Sequence, residues 1–527
     1  MVSKYQAGIT LLSDTCRLNM SSTSIDTCEE PSENGNQYFG IFAIGYICMG
    51  LGVTPLYSLG YAHCEDIVGR GKSSLYLSIM SAIAAFGPAA GFTIANPILN
   101  VFVDLKQPEN SHLTPENRNW VGAWWLGYLV GAGIVILASI PMLGFPSLFD
   151  DTERVRKEKN KFADTNKEDH DLNHDLKSLW PSTKSLFKNV PFILICLGNA
   201  MESFLIGGFA IFLPKFIETQ FHQTAAKSAL LTGVVIIPGA AVGMFTGAFF
   251  VKKYKWDCKR IIRNAFIVSL LSTIGMSSVL IGCQQRTVVG GDVLYANQST
   301  ISLQSGCNEY CQCSTRYYKP VCSVVDQQTY FSPCHAGCSV NHTVILDGKK
   351  NYKNCSCVSL GDVVVDSRCK PDCKLLPIAL LCMFLFMAIT LFNHVPMLNV
   401  VFRVVPKGQG SFATGFLQLF GRFLGFIPAP TMFGRLIDES CKLWHKEECT
   451  GETTSCLEYK NKDFRNYLFA MGLVIKVIGL IFTLAAYKVY KLPDQTSPQV
   501  YMENNGKVEL NHVGDEMTKQ NQLNISD

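Results

Sequence analysis

CNEYCQCSTRYYKPVC (residues 307–322), then SPCHAGC (332–338) and NCSCVSLGDVVVDSRCKPDC (354–373), decide how the rest of the chain is read. The stretch gathers Cys307, Cys311, Cys313, Cys322, Cys334, Cys338, Cys355, Cys357, Cys369 and Cys373 into one polar segment. An even cysteine set this dense, in a segment too small for a large apolar core, reads as a disulfide framework. Disulfides persist in oxidising compartments, so the segment is expected outside the cell. Sequons at Asn297, Asn341 and Asn354 agree with that side. Zinc is the competing reading of so many thiols. The spacing is not a pair of C-x2-C knuckles, so no metal is assigned.

Long apolar runs flank this loop on both sides. The hydrophobic share is 48% against 17% charged, which together with those runs predicts a membrane protein. Spans are expected at about 39–61, 75–99, 120–145, 191–213, 229–251, 265–282, 375–402, 413–437 and 467–486, each long enough for a hydrocarbon core of roughly 30 Å. Lys252, Lys253, Lys255, Lys259, Arg260 and Arg263 make the strongest positive-inside signal. With the N-terminus outside and the C-terminus inside, every basic loop falls in the cytoplasm and every cysteine cluster outside, including Cys16 and Cys28 near the start and Cys441, Cys449 and Cys456. The expected order is an extracellular segment (1–38), three spans (39–149), a cytoplasmic linker of mixed charge (150–189), three spans (190–283), the cysteine-rich loop (284–374), three spans (375–490) and a cytoplasmic tail (491–527). The net charge of +4 is small and says nothing about nucleic acid, but the balanced charge of the linker argues against a nucleic-acid patch there. No Gly-rich phosphate loop, catalytic-triad motif or metal-ligand pair stands in a suitable context, so neither an enzyme nor a cofactor is expected.

Two motifs resemble known families. Pro320-Val321-Cys322, Thr329-Tyr330, Cys334 and Cys338 are similar to a Kazal-type inhibitor module, in which Tyr330 packs under a small helix carrying Cys334 and Cys338. The spacing from Cys313 to Cys322 is one residue longer than in inhibitors, so a structural Kazal-like cap is expected. Ahead of it, NRNWVGAWWLGYL (117–129) looks like the D-x-R-W-[IV]-G-A-W-W-x-G-[FL]-L signature of the organic anion transporting polypeptides. Trp120, Gly122, Ala123, Trp124, Trp125 and Gly127 match; Asn117, Asn119 and Tyr128 depart from it. The resemblance runs from about residue 10 to residue 490.

It implies an all-α, multispan, major facilitator superfamily-like helical bundle with an extracellular disulfide-rich Kazal-like loop. It also implies sodium-independent transport, across the plasma membrane, of large amphipathic organic anions such as bile salts, steroid conjugates, thyroid hormones and prostanoids. Such carriers work by alternating access about a site near the midplane. By that comparison the chain begins after the third of twelve spans and lacks one three-helix repeat. That fits a splice form, a truncated gene model or a fragment. The alternative function is then a transport-incompetent membrane protein whose Kazal-like loop binds an extracellular partner. Organic anions and the bilayer are the partners implied; scaffold proteins inside the cell are not specified.

Arg422, in Gly421-Arg422-Phe423-Leu424-Gly425, is the first candidate contact. A charge at membrane depth is costly unless it faces a cavity or a partner, and a guanidinium suits carboxylate or sulfate. The family carries an arginine here that is implicated in substrate handling; a structural ion pair is the competing reading. Lys215, in Pro214-Lys215-Phe216-Ile217-Glu218, suits drawing anions to the mouth, or else is a snorkelling lysine. Glu202 lies mid-span and is expected to pair with a base or carry a proton. His394 has the chemistry to titrate near neutral pH, although a hydrogen-bonded structural role suits it as well. Phe204, Phe209 and Phe212 suit an apolar pocket for a steroid body, or lipid. Gly239, Gly243 and Gly247 suit the close packing on which helices rock. Met49 stands where many members carry an arginine.

Overall fold

The computed structural model describes residues 15–16, 36–68, 73–106, 121–144, 179–296, 298–311, 313, 315, 318–339, 343–346, 349–369, 373–405, 409–446 and 453–490. Among these, nine helical segments are long and apolar enough to cross a membrane. The first three are α1 (Asn36–Val68), α2 (Ser73–Leu99) and α3 (Trp124–Leu143). A short helix α4 (Leu179–Lys188) leads into the fourth span, α5 (Val190–Gln220). The fifth span joins α6 (Ala225–Leu231) through a π-helical turn (Thr232–Ile236) to α7 (Ile237–Lys253), and the sixth is α8 (Cys258–Gly275) with a 3-10 turn (Met276–Leu280). The seventh span is α9 (Leu376–Leu391) followed by α10 (His394–Val404). The eighth is α11 (Gly410–Phe420), a π turn (Gly421–Phe426) and α12 (Pro428–Glu439). The ninth is α13 (Asn461–Val489). The architecture is a major facilitator-like helical bundle carrying a disulfide-rich domain.

The bounds differ from the sequence reading where side chains extend or break a helix. The fourth span passes through Pro214 to Gln220, and Lys215 and Glu218 pair one turn apart at 3.3 Å in its last turns. The third span starts at Trp124; Trp120 lies outside the described residues. The seventh is interrupted at Phe392 and Asn393, where the Asn393 amide donates to the Ala265 carbonyl at 3.0 Å and so ties the break to α8. The expected linker 150–189 is described only from residue 179, and there it is helix α4. The tail from residue 491 and most of the first 38 residues lie outside the described residues.

In hydrocarbon, helices gain little from hiding apolar side chains, so close packing and polar contacts hold them together. Gly239, Gly243 and Gly247 recur every four residues on α7. A Cβ at these positions would strike the carbonyl oxygens of Phe384, Ala388 and Phe392. The stripe therefore brings α7 and α9 into close backbone contact. The contact between the first three spans and the last six is made instead by α2, which packs along α7 and touches α10, and by α1, which reaches α11. Asn189 fixes one end of the bundle: its Oδ1 caps α5 through the Phe192 amide at 3.2 Å, and its Nδ2 donates to Val404 at 3.0 Å. Helix α3 exposes Val135, Leu137 and Leu143, apolar surface suited to lipid.

Between α8 and α9 the chain leaves the bundle and builds an antiparallel sheet of five short strands. These are β1 (Val321–Ser323), β2 (Thr329–Tyr330), β3 (Thr343–Leu346), β4 (Lys349–Lys353) and β5 (Val363–Val365), in the order β2-β1-β5-β4-β3. Cys307–Cys357, Cys313–Cys334, Cys322–Cys369 and Cys338–Cys355 staple it internally. Cys311 bonds to Cys16 ahead of α1, and Cys373 bonds to Cys283. The framework is thus not closed within 307–373, as the clustering alone suggests, but tied to two other places in the chain. The sulfurs of Cys311, Cys313 and Cys334 lie within 4.8 Å of one another, a spacing that would suit a metal, yet each is taken by a disulfide. Tyr330 is buried and its hydroxyl donates to the Cys357 carbonyl at 2.9 Å. Cys334 sits on a run of turns (333–337) and Cys338 just past it, rather than on a helix. Gly337, at φ +72°, breaks any helical course there. A second hairpin, β6 (Cys441–Lys446) and β7 (Thr453–Tyr459), is closed by Cys441–Cys456. Asn354 is exposed, whereas Asn297, Asn341, Cys28 and Cys449 lie outside the described residues.

Candidate functional site

Arg422 sits on the π turn of the eighth span, where the Ile427 amide donates back to the Arg422 carbonyl at 2.9 Å. Such one-turn irregularities re-aim side chains and recur at functional sites. Gly421 and Gly425 press the turn onto α5: a Cβ on Gly421 would lie 3.0 Å from Ser203 Oγ, and one on Gly425 would lie 2.8 Å from the Ala200 carbonyl. Arg422 lies between these two glycines in sequence, beside the face that packs on α5. It is exposed and has no ion-pair partner among the described residues. A guanidinium at membrane depth is costly unless it meets a cavity, water or an anionic partner.

One residue before Ser203, Glu202 meets a partner that the sequence reading missed. Lys476 of α13 reaches both its oxygens, at 2.7 and 2.9 Å. The lysine side chain is 1% exposed and that of the glutamate 29%. Lys476 stands alone in an otherwise apolar run, so a search for isolated charges in every span would have found it.

Lys215 lies twelve residues beyond Ser203 on α5, which places it about 18 Å along the axis from the Arg422 layer at 1.5 Å per residue. The two cations therefore cannot share one anionic group. Lys215 pairs with Glu218 and lies over the Tyr459 ring at 5.7 Å. It opens on a polar crevice with Arg286, Arg368, Glu458 and His222, where the bundle meets the disulfide-rich domain and the β6–β7 hairpin. Glu458 accepts from the Tyr318 hydroxyl at 2.8 Å and faces Arg368 at 3.5 Å. Burial pushes the His222 imidazole below its usual range, and the Arg286 charge adds to this. Burial likewise lowers Arg286.

The remaining candidates are not brought to either place. Phe204 and Phe209 are 3% and 4% exposed and meet Phe433 at 5.8 Å each. Close packing of α5 on α12 buries them. Phe212 stacks on the same Phe433 at 6.4 Å. His394 starts α10, half-buried, and its Nδ1 is buried without a hydrogen-bond partner among the described residues.

The Gly122-Ala123-Trp124-Trp125 motif forms a clasp between the chain after α2 and the start of α3. Phe102 bridges Gly122, and a Cβ at Gly122 would strike the Leu99 backbone. Ala123 is fully buried, and the Trp125 indole donates to the Val103 carbonyl at 2.9 Å. Trp124 packs on Phe42 at 5.9 Å, and Gly127 lies in the first turn of α3 with open space about it. Tyr128, where the signature has Phe or Leu, puts its hydroxyl 2.7 Å from that of Tyr46 on α1.

The family model described as Organic Anion Transporter Polypeptide (OATP) matches residues 1–464. The chain belongs to the OATP family. Among OATP relatives, mouse solute carrier organic anion transporter family member 4A1 is 34% identical over 505 residues, covering 92% of this chain and 68% of the relative. Human member 4C1 is 33% identical over 520 residues, with coverage of 96% and 71%. Human member 1B3 is 27% identical over 533 residues, with coverage of 92% and 73%. These OATP proteins are solute carriers, not enzymes.

Proposed function

We propose that the chain carries large amphipathic organic anions, such as bile salts and steroid conjugates, across the plasma membrane by alternating access and without sodium. Arg422 carries this reading: a guanidinium free of ion pairs among the described residues, on a π turn midway along a span, in a family named for organic anion transport. The anionic end of the substrate takes the bidentate fork and its apolar body lies along neighbouring helices. Lys215, at the level of the crevice, attracts the anion before it descends. The first three spans and the last six move against one another where α2 meets α7 and α10. In this reading the disulfide-rich domain faces the outside, because disulfides persist there, and the basic turn from Lys252 to Arg263 faces the cytoplasm.

Cells expressing the chain should accumulate fluorescein, an organic anion, in a saturable manner that a sulfated steroid inhibits and that survives replacement of sodium by choline. Uptake equal to that of empty cells at a verified surface level would refute transport. Antibody staining of the disulfide-rich domain in intact cells should be positive, and staining only after permeabilisation would reverse the orientation.

A further inference from the structure

Helix α5 lies between two neighbours at one depth. Ser203 and Asn199 face the π turn at Gly421, while Met201 and Gly198 face Gly479 and Thr483 of α13. Glu202 therefore stands between the element carrying Arg422 and the element carrying Lys476. Within this layer the described residues offer two cations and one carboxylate. Left to itself, Glu202 would be drawn to Arg422, because ion pairing is strong where water is scarce and a guanidinium accepts a carboxylate through two parallel hydrogen bonds. Such a pair would consume the fork that an anionic substrate needs. Instead, Lys476 holds both Glu202 oxygens from the side of α13. The Lys476 side chain is itself 1% exposed, too deep to meet a substrate directly.

We infer that Lys476 is a positioning residue for anion binding: it sequesters Glu202, so that Arg422 remains open to the substrate. This rests on the transport reading above. The layer keeps one net positive charge, and that charge is on the exposed arginine rather than the buried lysine. A purely structural ion pair would also anchor α5 to α13, but it would not change the affinity for an anion.

The test uses the full chain in cells, fluorescein as probe, and surface level measured by biotinylation. Lys476→Met leaves Glu202 free to capture Arg422. It should raise KM about tenfold with a smaller change in Vmax per surface molecule, the pattern of lost binding rather than lost turnover. Glu202→Gln combined with Lys476→Met removes the competitor as well and should return KM to within about twofold of the parent. Lys476→Arg keeps the pair and should keep KM. An unchanged KM in Lys476→Met with reduced Vmax would overturn the inference, as would failure of the double variant to restore KM. Absence of Lys476→Met from the cell surface would assign the pair to folding and overturn it too. Parent uptake that is absent, or indifferent to Arg422→Ala, would instead strike the transport reading itself.

Discussion

Cys16 is bonded to Cys311, 295 residues further along the chain, and its backbone amide donates to the Cys338 carbonyl at 2.8 Å. The segment ahead of the first span is thereby clasped to a domain built between the sixth and seventh. A long-range covalent tie of this kind typically contributes about 2–5 kcal/mol. Cys16→Ser should leave one new thiol, at Cys311, which a maleimide adds to purified protein as a single mass increment. The variant should also reach the surface in smaller amount. No gain in thiol reactivity would contradict the pairing.

Gly243 meets the Ala388 carbonyl across the α7–α9 contact. Gly243→Val must push the helices apart or strain the backbone, at a cost of roughly 1–3 kcal/mol. Thermal unfolding in detergent should fall accordingly, whereas Gly415→Ala, with open space about it, should leave it within error. Equal midpoints for both variants would show that the stripe does not hold the two helices.

His335 is buried in the disulfide-rich domain, and burial lowers its imidazole from 6.5 to about 4. The unfolded chain therefore takes up a proton first as pH falls. Stability from this group is complete above pH 6.5 and is lost on the way down to about 4, by an upper bound of roughly 3 kcal/mol. Hydrogen exchange in β1 and β5 of the whole protein, corrected for intrinsic rate, should speed up between pH 7 and pH 5. His335→Gln should remove much of that slope. A pH-independent parent would contradict the shift.

Tyr128 and Tyr46 share a hydrogen bond that joins α3 to α1. Tyr128→Phe, which installs the residue of the family signature, should cost about 0.5–1.5 kcal/mol without changing the fold. Tyr46→Phe should cost a similar amount, and the double variant no more than either alone. Fully additive losses would show that the hydroxyls do not interact.

The helical elements were legible because membrane spans are written as long apolar runs, and the disulfide-rich domain because Cys and sequons cluster. What the sequence hid was pairing between distant positions. Nothing near Cys311 points to Cys16, and nothing near Glu202 points to Lys476, since packing of α13 on α5 brings that pair together. The phenylalanines show the same limit: the sequence left Phe204 and Phe209 open between a pocket and lipid, and in the fold both pack against Phe433. Arg422 was readable as a lone charge in a span. The π turn that aims it was not, because backbone hydrogen-bond register leaves little trace in residue type.

The most direct test of the account is initial-rate uptake of fluorescein, normalised to surface protein, by the parent, Arg422→Lys and Arg422→Ala. Arg422→Lys keeps the charge but not the bidentate fork, so uptake should weaken; Arg422→Ala should approach the rate of empty cells. Uptake by Arg422→Ala equal to that of the parent at equal surface level would contradict the claim that this guanidinium receives the anion.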